Sequence, residues 1–174
     1  MSGGNRRLAP GKNPAIQDQV VTPDDLARDI VDYFAPTGKL LDPARGSGAF
    51  YRAMQRHSKD VRWCEIAAGV DFFDHSEPVD WIITNPPWSK FRQYIRHAMT
   101  LAPNVVFVGT VAHFVLKARL RGMAEADFGL DILLFDQPPK PWPGSGFQPA
   151  VGYLRKGAMI FPYLPRQASV RRAA

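Results

Sequence analysis

An α/β domain with a mostly parallel sheet, covered by helices on both faces and closed by an antiparallel hairpin at one edge, is what this sequence predicts. Three observations carry that prediction. Short runs that are apolar almost throughout, such as V-V-F-V-G at residues 105–109, alternate with segments of helical periodicity, and a strand without polar alternation is one buried on both faces. The runs are bounded by glycine, proline or acidic residues, which end strands and open turns. The last two runs have no helix between them, and strands joined without a crossover pair antiparallel.

The elements follow in order. Residues 1–20 hold Gly3, Gly4, Pro10, Gly11 and Pro14 among Arg6, Arg7 and Lys12, a composition that predicts a basic flexible arm before a domain at 21–161 and a basic tail at 162–174. Thr22-Pro23-Asp24-Asp25 reads as a helix start: a threonine cap, a proline at the first helical position and two acids at the positive end of the helix dipole. Leu26, Ile30 and Phe34 then recur at helical spacing. Residues 38–42 (G-K-L-L-D) form a strand, and Gly46-Ser47-Gly48 turns it into a helix running to about His57. Strands follow at 61–65 (V-R-W-C-E) and 79–83 (V-D-W-I-I), then a helix with Phe91, Ile95, Ala98 and Met99 on one face. The second half gives a strand at 105–109, a helix at 111–121, a strand at 130–135, a Pro/Gly-rich loop at 138–149 and a last strand at 151–161 interrupted by Lys156-Gly157.

Composition bounds the function. A chain of 174 residues, 45% hydrophobic and 22% charged, fits one globular domain with a sizeable core and leaves no room for two. A formal charge of +6 suits an anionic partner, and suits a soluble surface equally well. The single cysteine, Cys64, excludes an internal disulfide framework and fits a reducing compartment. No run approaches the ~18 apolar residues of a membrane span, and the N-terminus lacks the apolar stretch of a signal peptide. The expectation is a cytoplasmic protein with no membrane partner. No cluster has metal-ligand spacing, so no metal is expected, and His97 and His113 read as surface or core residues of helices.

Two turns carry the chemistry. In D-P-A-R-G-S-G-A-F, Asp42 to Phe50, a strand ends in a glycine-bearing turn that opens a helix. Backbone N–H groups there can approach a ligand closely, because glycine has no Cβ in the way. A dinucleotide fingerprint would need glycine at position 51, where Tyr51 stands. Glu65, at the end of the next strand, is placed to accept hydrogen bonds from two ribose hydroxyls. Asp71 and Phe72 offer an acceptor for an exocyclic amine and an apolar surface for an adenine ring. Each acid alone reads as a solvated strand end; together, on successive strand ends, they point to an adenosine-bearing cofactor.

The second turn is N-P-P-W, Asn85, Pro86, Pro87 and Trp88, at the end of a central strand and therefore on the same edge of the sheet. Pro87 forces Pro86 into an extended conformation, and both rings fix φ. A side-chain amide oxygen and a fixed carbonyl oxygen thus form a pair of acceptors beside an indole plate. An amine conjugated to a planar ring is a poor nucleophile, because its lone pair is delocalised. Acceptors placed for a tetrahedral nitrogen localise that pair, so that it can attack a methyl sulfonium as charge develops in the transition state. The alternative is a proline-rich turn whose tryptophan covers the core.

T-P-D-D-L-A, D-P-A-R-G-S-G-A-F, the acid of W-C-E, G-V-D-F-F and N-P-P-W follow the order found in S-adenosylmethionine-dependent amino methyltransferases. The chain resembles most the DNA adenine-N6 methyltransferases of the small phage or prophage kind, over about residues 22–157. The resemblance implies a Rossmann-like class I methyltransferase fold with a mostly parallel seven-stranded sheet and an antiparallel edge hairpin. It implies S-adenosylmethionine as cofactor, DNA as partner with base flipping, and a bacterial or phage-infected cell as setting. It carries the methionine end of the cofactor over to Thr22, Pro23, Asp42, Gly46 and Gly48, its ribose to Glu65 and its adenine to Asp71, with Pro43, Phe50 and Phe72 also expected to bind the cofactor. The catalytic role falls to Asn85, Pro86, Pro87 and Trp88, with Asn85 also facing the cofactor. Tryptophan in the last place resembles base methylators more than glutamine methylators. An RNA-base or protein-glutamine methyltransferase, or a non-catalytic cofactor- or nucleic-acid-binding module, are the alternatives.

Two departures from the family stand out. Arg45 replaces a small or apolar residue inside the glycine turn, and no target recognition domain fits. Sequence specificity is therefore expected to be short or relaxed. The loop P-P-K-P-W-P-G-S-G-F-Q-P should emerge on the active-site edge, where Lys140, Trp142 and Phe147 could contact nucleic acid, or could serve plain packing.

Overall fold

The structure, a computed structural model, describes residues 21–135, 142 and 148–158. The arm expected at 1–20 and the tail at 162–174 lie outside those residues, as do Lys140 and Phe147. In chain order the elements are α1 (Asp24–Phe34), β1 (Lys39–Asp42), α2 (Ala49–Met54), β2 (Asp60–Trp63), β3 (Trp81–Thr84), α3 (Phe91–Leu101), β4 (Asn104–Thr110), α4 (Val111–Val115), α5 (Lys117–Glu125), β5 (Phe128–Leu134) and β6 (Pro149–Lys156). Single 3-10 turns stand at Ile66–Ala68, Phe72–Asp74 and Trp88–Lys90.

The strands form one sheet in the order β2-β1-β3-β4-β6-β5. β2, β1, β3 and β4 run parallel, and β6 pairs antiparallel with both β4 and β5. The near-continuous apolar runs are explained by two separate cores. Leu41, Ile82, Val105 and Phe107 point to the face covered by α3, α4 and α5, while Leu40, Ile83, Val106 and Val108 point to the face covered by α1 and α2. Successive side chains of a strand face opposite ways, so a sheet buried twice needs apolar residues at every position.

Three expectations are corrected. The sheet has six strands among the described residues, not seven. Between β2 and β3 the chain makes an isolated bridge between Glu65 and Val70 and two single 3-10 turns, and no further strand. D-F-F-D-H-S-E-P lacks alternation, and Asp71 spends its side chain on the Phe73 N–H at 3.0 Å, which favours a turn. The helix expected at 111–121 is two helices, because Leu116 is extended at φ −63° and ψ 133°. Arg119 reaches back and donates to the Ala112 and His113 carbonyls, satisfying the end of α4. Thr22 is not a helix cap either: Pro23 holds that position with no side-chain capping bond, and Thr22 is buried elsewhere.

Close packing against β6 depends on Gly152, where a Cβ would come within 2.2 Å of the Phe114 ring. Phe114 is fully buried. Gly152→Ala is expected to lower stability by about 1–3 kcal/mol through overpacking, measured by urea denaturation. Adding Phe114→Leu should recover part of that loss, and no recovery would place the cost elsewhere.

Candidate active site

Because β1, β2 and β3 are parallel, their carboxyl ends share one edge of the sheet, and the predicted site residues gather there. Asp42 and Thr84 are the last residues of β1 and β3. The Thr84 hydroxyl donates to Asp42 Oδ1 at 2.8 Å, and the Ala44 N–H adds a longer bond of 3.4 Å to the same oxygen. Oδ2 is buried with no partner among the described residues. Burial dominates here and pushes the Asp42 carboxyl up to about 7 despite those bonds.

The glycine turn that follows is braced from β2. The Arg45 N–H donates to the Cys64 carbonyl at 3.0 Å, and the Gly46 N–H donates to Glu65 Oε2 at 2.8 Å. Glu65 Oε1 accepts from the Ala67 N–H at 3.1 Å. Gly46 at φ +48° and Gly48 at φ +86° hold left-handed conformations that most side chains avoid. A Cβ at Gly46 would meet nothing closer than 3.9 Å, so the missing atom keeps the turn's surface low beside the cavity. Arg45 folds its guanidinium over Trp63, 4.7 Å from the ring centroid, and lies 5.4 Å from that of Tyr51. This stacking accounts for how a large cation is carried inside the turn.

At the end of β3, Asn85 is fixed from two sides. Its Nδ2 donates to Thr22 Oγ1 at 3.2 Å, and the Trp88 indole N–H donates to its Oδ1 at 3.2 Å. Pro86 is buried; Pro87 and Trp88 are half-buried. The Pro87 carbonyl accepts from the Lys90 N–H at 3.0 Å, which closes the short turn leading into α3. Trp88 meets His113 edge-on at 5.2 Å and Trp142 edge-on at 6.4 Å. The Trp142 indole in turn donates to the Val21 carbonyl at 3.2 Å, which brings this one described aromatic of the loop to the rim of the site.

A cavity of about 550 Å³ lies between the two turns. Of the predicted residues, Thr22, Pro43, Gly46, Phe50, Glu65, Asn85 and Pro87 line it. Pro23, Asp42, Gly48, Asp71, Phe72, Pro86 and Trp88 do not. Asp42 lies beneath the floor, and Phe72, 1% exposed, is packed against Tyr94 and His97 in the core instead of offering a ring face. Sequence reasoning missed Ile66 and Tyr94, which also line the cavity. Tyr94 shares the buried face of α3, so nothing in its spacing separates it from core residues. Burial first, then the nearby Asp71 and Glu65 charges, hold its phenol well above the usual range. His113, read from sequence as a surface or core residue, is half-buried against Phe91 beside Trp88. Its Nδ1 accepts from the Thr110 N–H at 3.1 Å, and burial followed by the Arg119 charge pushes it down to about 4. The imidazole beside Trp88 is therefore neutral at ordinary pH, with its proton on Nε2. Among the described residues no group of three or more His, Cys, Asp or Glu could hold a metal ion, and no helix is long and apolar enough to cross a membrane.

No protein-family model matches this chain, and no curated protein does. Solved structures do match. A protein described as an RNA methyltransferase from Pyrococcus horikoshii aligns at 16% identity over 86% of this chain and 94% of its own, with a TM-score of 0.59. The 23S rRNA methyltransferase ErmE aligns at 13% identity over 79% of this chain and 70% of its own, with a TM-score of 0.59. The M protein of the type I restriction enzyme EcoKI aligns at 13% identity over 80% of this chain and 44% of its own, with a TM-score of 0.58. These likenesses establish a Rossmann-like methyltransferase fold.

The buried carboxyl of Asp42 makes stability depend on pH. Its folded-state value near 7 exceeds the ordinary 3.8, so the folded chain binds more protons than the unfolded one between those values. Stability from this group is fully present below about pH 4 and falls as pH rises toward 7, by up to about 1.4 kcal/mol per pH unit. Asp42→Asn keeps an acceptor for Thr84 and should flatten that slope in urea melts from pH 4 to 8. An unchanged slope would mean that Asp42 is ionised throughout.

Proposed function

We propose that this chain transfers a methyl group from S-adenosylmethionine to the N6 amine of adenine in DNA. The observation that carries the reading is the meeting of the two turns. The Asn85 amide and Pro87, held by the buried Pro86 before it, stand at one wall of a cavity that the Gly46 turn and Glu65 also line. The fold is shared with proteins described as acting on RNA and with a restriction-enzyme subunit, which supports a nucleic-acid substrate.

The donor set fits the cofactor. Glu65 supplies a carboxylate for ribose hydroxyls, Gly46 a backbone approach without a Cβ, and Thr22, Pro43 and Phe50 the remainder of that wall. Pro23, Asp42 and Gly48 support the wall from behind rather than touch the ligand. Ile66, exposed and next to Glu65 in sequence, offers the apolar surface for adenine that the buried Phe72 cannot, with Asp71 close to Tyr94 at the same end. When bound, S-adenosylmethionine supplies a methyl group on positively charged sulfur; an N–C bond forms as the S–C bond breaks, and one amine proton leaves to water.

The chain's own residues prepare the amine. Asn85 Oδ1 and the Pro86 carbonyl are acceptors for its two hydrogens. The Thr22 hydroxyl fixes which way the amide faces, since Nδ2 is committed to it. Trp88 stacks on the base, worth about 1–3 kcal/mol. A base paired inside a duplex cannot reach this turn, so the target is flipped out or single-stranded. An RNA-base amine is the second reading, favoured by the RNA methyltransferases among the structural neighbours.

Labelled methyl transfer run side by side on DNA, RNA and protein, followed by nucleoside analysis, tests the reading. N6-methyladenine in DNA is the expected product, and label found only in RNA or protein overturns it. Glu65→Ala should weaken S-adenosylhomocysteine binding about tenfold to a hundredfold, the range for loss of charge-assisted hydrogen bonds. Calorimetry reads this directly. Trp88→Phe should keep more activity than Trp88→Ala, because it retains a stacking ring and loses only the indole N–H; equal activities would remove stacking from the account.

A further inference from the structure

We infer that the groove between α3 and α5 seats the phosphodiester backbone of the DNA strand that carries the target base. The identity of that strand rests on the function proposed above; the groove itself is a separate feature. It encloses about 410 Å³ and is formed by Arg92 and Arg96 on α3 and Arg119 on α5, over a floor that includes Ile95, Met99 and Gly122. Arg92 and Arg96 are four residues apart on one helix and so project from one face. Among the described residues, no carboxylate lies within ion-pair distance of any of the three guanidinium groups.

Like charges gathered with no carboxylate in ion-pair range repel one another. Burial and then the Arg92 charge hold the Arg119 guanidinium below its usual range. An anion between the two helices relieves that repulsion, and guanidinium groups bind phosphate oxygens with paired, geometrically fixed donors. Among the described residues lining the groove the one acid, Glu125, belongs to the last position of α5.

Position links the groove to the proposed base site. The Arg119 guanidinium lies 5.5 Å from the Phe91 ring centroid, Phe91 stacks on His113 at 4.6 Å, and His113 meets Trp88 at 5.2 Å. One continuous layer of rings thus leads from the tryptophan proposed to hold the target base to the arginine groove. Trp88 stands in the turn that opens α3, and Arg92 is the second residue of that helix, so a strand whose base enters at Trp88 passes the end of α3 from which Arg92 and Arg96 project. Contacts of this kind position the strand and carry no sequence information directly.

The test is fluorescence anisotropy of the whole chain with a labelled single-stranded oligodeoxynucleotide, repeated across salt concentrations. The variant is Arg92→Gln with Arg96→Gln. Its affinity should fall at least about tenfold at low salt, and the slope of log affinity against log salt should shrink by about 1.4, from ~0.7 for each phosphate that is no longer neutralised. Arg28→Gln with Arg56→Gln removes the same charge from the opposite face, beside α1 and α2, and should leave the slope unchanged. Equal losses in both double variants would reduce the effect to net charge and overturn the inference. So would wild-type affinity in the groove variant, or wild-type chain that binds no DNA, or a groove that takes an acidic peptide in preference to the oligonucleotide. S-adenosylhomocysteine binding, measured on the same samples, should be unchanged in the groove variant. Its absence from wild type would undo the proposed function and not the groove, and its retention in the groove variant shows that Arg92→Gln and Arg96→Gln left the fold intact.

Discussion

The hydrogen bond from the Thr84 hydroxyl to Asp42 ties the ends of two neighbouring strands inside the core, and both turns of the candidate site start from it. β1 leaves Asp42 into Pro43 and the glycine turn, and β3 leaves Thr84 into Asn85 and the two prolines. A parallel register that sets Leu41 opposite Ile82 brings the two departure points level. The side-chain bond holds them there with 2.8 Å between the oxygens. In a buried site such a bond is electrostatically strong, and its loss would leave a buried polar group unpaired. Keeping Asp42 neutral over much of the pH range reduces the cost of burying it. The separation of the glycine turn from the asparagine turn, which sets the width of the cavity, thus depends on a pair of residues that do not line it.

A second constraint acts on Asn85. Two prolines restrict the backbone, but they do not decide how the amide is rotated. That is decided by Thr22, from the segment leading into α1, and by Trp88 from the far side of the turn. The indole N–H holds the same oxygen that is proposed to receive the substrate amine, so the bound base must join or displace it. Glu65 is in a comparable state: each of its oxygens is already bonded to a backbone N–H of the surrounding turns. A carboxylate oxygen accepts more than one bond, so these contacts fix the acid's orientation and leave it able to accept further hydrogen bonds.

Much of this was legible in the sequence because it is local. The alternation of apolar runs with helices marks the parallel sheet, and both turns fall where glycines and prolines punctuate strand ends. What sequence could not show is set by packing between distant segments. Thr22 looks like a helix cap, since T-P-D-D has every local mark of one, and only its 63-residue reach to Asn85 gives it another partner. Phe72 and Ile66 are both apolar and both follow an acid, yet one is buried and the other 63% exposed. Their difference comes from whether α3 lies over them. Tyr94 and His113 are core-like by spacing and reach the site only through tertiary contacts. The expectation of a seventh strand came from resemblance, and the turn-rich segment between β2 and β3 does not form one.

The central claim is that Asn85 acts on the substrate amine and not on the cofactor. Paired measurement of S-adenosylhomocysteine affinity and single-turnover methyl transfer in Asn85→Ala separates the two directly. Affinity within about threefold of wild type is expected, with a transfer rate lowered by at least about a hundredfold, the scale for losing an acceptor that acts in the transition state. A variant that loses affinity and rate in equal proportion, or that transfers methyl groups at the wild-type rate, would contradict it.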